Sequence, residues 1–419
     1  MNILNHLTLR FILPILAFGY ASVSYATPQF TGRVSVLGAL SHADADQVST
    51  GKDTYLHANQ QGLRLMLDDT SDQDQWSVHL RTVRQYLENY PTTSLHSSDL
   101  FRVKPLSNGW TDTSTHTQTK IGYVLDRAVY RTQLPKFSQL MNDGSASVSI
   151  GRQPIDWGAG RFWQPMNVFG GFAPTDLDTE FKPGIDAATL DIYPSAFSSL
   201  TAAYVLSSDK QALSKGKNNL ALHYRAQVGD QSELSLLAAD VLDNRILGGA
   251  LETSWQGIGL RWEGTRTHDN TMEKDYNFWV AGLDYQFDNG TLIMAEVYDN
   301  ERGAEKTSEL NTVAAQPWFR YGLQPQLSRH VAGVSIQKDV TPLWQVQYLA
   351  LSSWLKDNNN QNRSSWLHQI NATYSLSNES SLLLSALFTQ GKGLNSSQQL
   401  QSEFGAVPVS VTAKFVMYF

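Results

Sequence analysis

The last eleven residues read VSVTAKFVMYF (409–419). Val409, Val411, Ala413, Phe415, Met417 and Phe419 alternate with Ser410, Thr412, Lys414, Val416 and Tyr418. In a strand, period two sends these sets to opposite faces. One face is wholly apolar and the other carries a charge and hydroxyls, so the strand needs a greasy neighbour on one side and water on the other.

The same two-faced pattern recurs along the chain. Segments of this kind fall at 30–40, 58–68, 75–87, 121–134, 145–153, 184–193, 198–206, 218–227 and 232–240. They continue at 246–255, 257–267, 276–286, 290–299, 329–337, 343–353, 365–375, 379–389 and 407–419, which makes eighteen. The gaps give an independent check. Counting along the chain, most even gaps are tight turns, such as Gly229-Asp230, Trp255-Gln256 and Ser377-Asn378. Most odd gaps are long: 41–57, 88–120, 154–183, 207–217, 300–328, 354–364 and 390–406. Exceptions are the short odd gap near Asp243-Asn244 and the ten-residue even gap Pro135–Gly144, so sixteen strands is the alternative count. Alternation of short turns and long loops is the layout of a transmembrane antiparallel up-and-down β-barrel. The expected fold is therefore all-β.

Composition and ends agree with a wall that has one greasy and one wet face. The 419 residues include no cysteine, which excludes disulfides, zinc-cysteine sites, iron–sulfur clusters and thiol catalysis. Nothing resembles a linker, so 27–419 is expected to be a single barrel. Arg10, the apolar run Phe11–Tyr20 and Ser24-Tyr25-Ala26 read as a cleaved export signal over 1–26. Losing Arg10 takes the formal charge from −7 to −8, which argues against nucleic acid as a partner. Beyond that segment no run of 18 apolar residues occurs. An exported chain without a spanning helix can still cross a membrane as a closed barrel. The alternating final strand with a terminal Phe419 resembles the assembly signal of bacterial outer-membrane barrels. That resemblance implies the outer membrane of a Gram-negative cell, contact with its lipid and lipopolysaccharide, and insertion by the barrel assembly machinery.

Sorting side chains by phase gives the two faces. Leu63, Leu65 and Leu67 are expected to meet lipid while Arg64, Met66 and Asp68 face the lumen, and Leu260 and Trp262 oppose Arg261 and Glu263. The inward charges include Arg64, Arg81, Arg127, Arg131, Asp191, Arg225, Arg261, Glu263, Asp284 and Glu296, too polar a set for a dry core. Barrels of 16 to 18 strands leave an aqueous channel, so a pore is the expected consequence. Arg127, Arg131 and Arg152 either form a basic ladder along one wall or pair with neighbouring acids.

One gap stands apart: GRQPIDWGAGRFWQPMNVFGGFAPTDLDTEFKPGID (151–186). A structureless loop this long is more often functional than accidental, and it is the third long one. In general porins the third external loop folds into the lumen, and the same is expected here. Trp157, Phe162, Trp163, Phe169 and Phe172 offer a packing surface. The residues expected at the narrowest point are Arg152, Asp156, Trp157, Arg161, Trp163, Asp176, Asp178, Glu180 and Lys182. If Val148 and Ile150 face lipid, strict alternation sends Arg152 outward. Either a bulge at Gly151 turns it inward, or it sits at the rim and caps loop backbone. The GRQ-x3-WG motif, with Trp163, Pro165, Gly184 and Asp186, resembles proteobacterial porin-like barrels, and GRQ at a strand end is also similar to alginate-export barrels. Asn167 stands where such families often carry Asp. The acids Asp176, Asp178 and Glu180 lack the ligand spacing of a calcium loop, so no metal or other cofactor is expected.

No HExxH, GxSxG, GxxxxGK[ST] or GxGxxG occurs. Three classes remain: a passive channel for small hydrophilic solutes, a polysaccharide export tube or structural envelope barrel, and, least supported, a barrel enzyme. An energised plug is not expected, because only about thirty residues precede the first segment.

Overall fold

The computed structural model describes residues 28–71, 73–88, 96–103, 109–113, 117–135, 144–208, 213 and 217–419. The export segment expected at 1–26 lies outside them. The strands in chain order are β1 (Gln29–Ala43), β2 (Thr54–Thr70), β3 (Asp74–Glu88), β4 (Gly109–Thr113), β5 (Thr117–Gln133), β6 (Ser145–Gln153) and β7 (Ile185–Ser195). They continue as β8 (Ser198–Val205), β9 (Asn219–Val228), β10 (Ser232–Val241), β11 (Asn244–Trp255), β12 (Ile258–Asp269) and β13 (Lys274–Gln286). The last are β14 (Leu292–Asn300), β15 (His330–Thr341), β16 (Trp344–Lys356), β17 (Asn362–Ser377), β18 (Ser380–Gln390) and β19 (Val409–Tyr418).

Eighteen of these strands, all but β4, pair antiparallel with their chain neighbours and close into a barrel where β1 meets β19. Each expected segment coincides with one wall strand. At the seam Gly32 N donates to the Phe419 carbonyl at 2.7 Å, and Phe419 N donates back at 3.0 Å. A Cβ on Gly32 would lie 2.2 Å from the Phe419 ring, so any larger residue there would have to displace the terminal aromatic. The short odd gap is a genuine two-residue hairpin: Leu242 and Asp243 both have positive φ, 53° and 65°, the twist that matches flanking strands.

Phase assignments hold around the wall. Leu220, Leu222, Leu260, Trp262, Leu283 and Ile370 are exposed on the outside, while Arg64, His223, Glu263 and Gln369 are buried inside. Two departures matter. Between β3 and β5 the register slips so that His79 faces Arg127 but Leu80 faces Leu125. The extra residue, Asp126, is nearly fully buried, and the slip lets it share the inner side with Arg127.

The second departure is at Gly151, where the expected bulge is absent. β6 stays in register with both neighbours through Arg152, which faces Ala128 and Asp186. Gly151 instead has φ +123°, and a Cβ there would lie 2.1 Å from the Ala128 carbonyl oxygen. Arg152 then caps backbone, donating to Leu125 O at 2.9 Å and gripping Asp186 at 2.7 and 2.9 Å.

Because β6 stops at Gln153, β5 runs on without it, and the preceding loop covers the gap. β4 pairs with 118–122 of β5. Phe101 O accepts from Asp186 N, and Leu100 O accepts from Ser208 N, both at 2.9 Å. Leu100 and Phe101 are fully buried there.

Candidate functional site

The third long loop, 154–184, leaves the wall and crosses the lumen. Its first limb ends on β12 and β14. Glu263 accepts from the backbone N–H of Ala159 (2.6 Å), Gly160 (2.8 Å) and Met166 (2.5 Å). Glu296 accepts from Arg161 (2.9 Å), Phe162 (3.3 Å) and Trp163 (2.9 Å). Loop amides buried against a wall need acceptors, and a carboxylate can take several at once.

Apolar packing reinforces these tethers. Trp163 is 1% exposed and lies 5.1 Å from Tyr298. Trp157 stacks on His223 at 5.1 Å and 6°. Phe169 and Met166 pack on Ala187, Ala203, Ala221, Leu237 and Ile246 of β7–β11. On that half the inner wall is apolar, and its small and aliphatic residues seat the loop.

The second limb returns along the opposite wall. Gln369 on β17 donates to Thr175 O at 3.3 Å, and Lys414 on β19 donates to Leu177 O at 2.7 Å. Arg33 on β1 holds both oxygens of Asp178 at 3.0 Å and reaches Glu180 at 3.3 Å, while Tyr418 also donates to Glu180. Arg64 on β2 lies 4.2 Å from the Phe181 ring. Lys182 closes the loop on itself at Asp156 (2.9 Å). Burial pushes Lys182 down to about 8 against the pull of Asp156. At Asp178 the Arg33 hydrogen bond and the Lys414 and Arg33 charges outweigh partial burial and hold it low.

The expected site residues therefore separate. Asp156 (54%), Asp178 (42%) and Glu180 (44%) keep their side chains partly in water. Asp176 and Arg161 are also exposed, and among the described residues no hydrogen bond or ion pair engages the Arg161 guanidinium. Trp163 and Arg152 are buried and do not line an opening: the first is an anchor, the second ties β6 to β7. Arg131 is occupied by Ser147, Asp191 by Thr201, Arg225 by Glu233, and Arg261 by Glu252 and Asp284.

The wall of β2, β3 and β5 is different. Asp126 takes Arg64 at 2.6 Å and Arg102 at 3.2 Å. Among the described residues Arg81 and Arg127, within electrostatic reach of Arg64, form no ion pair, and each has a buried Nε without a partner there. Arg64 also keeps Nε and Nη1 unpartnered. Arg64, Arg81 and Arg127 thus group on this wall, whereas Arg131 and Arg152, two of the three arginines considered for a ladder, are held by Ser147 and Asp186 instead. Arg33, Arg102 and Lys414 were missed as loop and seam contacts. The polar phase of β1 and β19 pointed Arg33 and Lys414 inward, whereas Arg102 lies in a loop, and nothing local said what any of them would meet. Among the described residues no cluster fit to hold a metal occurs; Asp156, Asp178 and Glu180 are engaged by cations, and Asp176 accepts from the backbone N–H of Ala173 at 2.8 Å.

The architecture is that of outer-membrane porin barrels. No protein-family model matches the sequence, and no curated protein matches it. Solved structures share the fold at very low identity. OccAB4 of Acinetobacter baumannii is 10% identical with a TM-score of 0.55, over 93% of this chain and 97% of that one. OccK7 (OpdD) of Pseudomonas aeruginosa is 8% identical with a TM-score of 0.54, over 94% and 99%. OccD3 (OpdP) of the same organism is 10% identical with a TM-score of 0.55, over 94% and 91%.

Proposed function

We propose that this chain is an outer-membrane channel for passive diffusion of small hydrophilic solutes, narrowed by the 154–183 loop and biased towards anions by Arg64, Arg81 and Arg127. The observation that carries this reading is the loop itself, stapled to the wall on both sides of the lumen with its charged edge left in water. A wall with more guanidinium than carboxylate raises the local concentration of anions. Export through the leader at 1–26, insertion by the barrel assembly machinery through Phe419, and contact with membrane lipid and lipopolysaccharide complete the proposal. The polysaccharide export tube rests on the GRQ likeness alone, and a loop fixed across the lumen is a poor path for a polymer.

Purified protein in planar bilayers is expected to show stepwise conductance, enlarged when 161–180 is shortened. A silent bilayer with both proteins, folded and inserted, sinks the proposal.

A further inference from the structure

Outward positions of β2 and β3 follow the lipid-facing phase: Leu63, Leu65 and Leu67 on one strand, Val78 and Leu80 on the other. The same phase brings Asn59, Gln61, Thr82 and Arg84 to the outside, with Gln61 opposite Arg84 and Leu63 opposite Thr82. Arg84 is exposed, and its Nη1 donates to Gln61 Oε1 at 2.8 Å and Asn59 Oδ1 at 3.2 Å. Among the described residues no carboxylate pairs with it. Its row is flanked by apolar surface on both sides: Val36 pairs with Gln61, Ile121 pairs with Arg84, and both are exposed. Nearer the long-loop end, exposed Leu40 on β1 stands beside His57 of β2, whose ring lies 3.9 Å from Glu88 of β3, so Arg84 sits at the upper edge of the apolar surface.

Depth follows from strand geometry. Arg84 lies eight residues along β3 from Trp76, the outward aromatic at the short-turn end. A rise of ~3.3 Å per residue and a tilt of ~40° place it ~20 Å up a lipid-facing band ~25 Å tall. Arg266, also in outward phase and eight residues from the short-turn end of β12, differs in being paired with a carboxylate, Asp275 at 2.6 Å. A guanidinium inside the band needs an anionic counterpart. A second copy related by a twofold axis would bring its own Arg84 patch, a like charge. A lipid phosphate at the upper edge of the band is within reach of an arginine whose stem lies in the apolar layer.

We propose that Arg84, with Asn59 and Gln61, seats a phosphate of an anionic glycolipid in the leaflet at the long-loop end. This rests on the outer-membrane reading above but not on conduction. The test uses the full barrel in phosphatidylcholine vesicles doped with diphosphoryl lipid A, extracted in mild detergent and weighed by native mass spectrometry. Wild type is expected to retain lipid A, Arg84→Gln about tenfold less, and Arg84→Lys an intermediate amount. Wild type should fail to retain dephosphorylated lipid A, an arm that needs no variant to fold. Equal retention by Arg84→Gln, equal retention of the dephosphorylated lipid, or a wild-type oligomer that Arg84→Gln dissolves would each overturn the proposal. Conductance is recorded on the same samples, so a silent but lipid-retaining barrel refutes the channel and leaves the lipid site standing.

Discussion

The tethers at Glu263 and Glu296 make the most demanding test of how the loop is held. Glu296→Gln keeps the shape and removes the charge, so one of its oxygens becomes an NH2 group. The best orientation keeps the oxygen that serves Phe162 and Trp163 and turns the new NH2 towards the N–H of Arg161. Losing one charge-assisted hydrogen bond costs about 1.5–3 kcal/mol, and a buried donor left facing a donor adds about 1–3 kcal/mol. Glu263→Gln repeats the sum: the bonds from Ala159 and Gly160 survive and that from Met166 does not. Both changes act on one loop and will not simply add. The double variant is expected to shift the docked equilibrium by about 3–6 kcal/mol, two to four decades. Single-channel recording should then show one steady level for wild type, but larger mean conductance and rapid transitions for the double variant. If heat-modified gel mobility reports a folded barrel while conductance and noise stay at wild-type values, the carboxylates do not fix the loop and the reasoning fails.

Three further outcomes follow from the same geometry. Removing Arg81 and Arg127 together by alanine is expected to move the reversal potential in a salt gradient towards cations, and an unchanged potential would remove the anion bias. Lys182 is held at about 8 in the fold against 10.5 as its reference. Between those values the unfolded chain binds more protons, so its contribution makes stability rise with pH across that window. Over the same rise the lumen loses one positive charge, so wild type should lose anion preference between about pH 7 and about pH 9.5 while Lys182→Met should not. The second limb leans on half-exposed ion pairs of Asp178 and Glu180, which salt screens. Arg33→Ala should therefore release it and raise conductance at low salt, with wild type approaching the variant at high salt.

The wall was legible because lipid on one side and water on the other enforce period two, and each of the eighteen expected segments became a strand. β4 escaped notice since Gly109–Thr113 sits inside a long polar gap and follows no two-faced pattern; its pairing with β5 exists only because β6 stops short. The loop was identifiable from its length and place in the order of gaps. Its contacts were not, because which strands face it depends on closure of the whole cylinder. Trp163 illustrates the limit: an aromatic in a pore loop could line the opening or anchor it, and only the position of Tyr298 across the lumen decides for the anchor. At Arg152 the phase rule identified a real conflict, yet the resolution came from partners on β5 and β7 rather than from a bulge.

The seat of the loop is nevertheless written in the wall, in residues that phase analysis treats as neutral. Inward-facing Gly248 on β11 has Met166 3.1 Å from where its Cβ would be, and Gly333 on β15 has Phe162 at 2.7 Å. Gly282 on β13 has the Glu296 side chain at 3.3 Å from the same point. Together with Ala187, Ala203, Ala221 and Ala250, these small residues carve a shallow bed under the first limb. A bed of that kind is apolar, and stripping the loop from it would expose the surface that Phe169, Met166 and Ile155 now cover, at about 25 cal/mol per Å2. Deleting the loop would therefore change two things at once, the width of the passage and the stability of the wall. Cutting the tethers changes mainly the first, because the bed and its apolar cover remain, which is why the paired glutamates discriminate between a loop that narrows a channel and one that only fills a barrel.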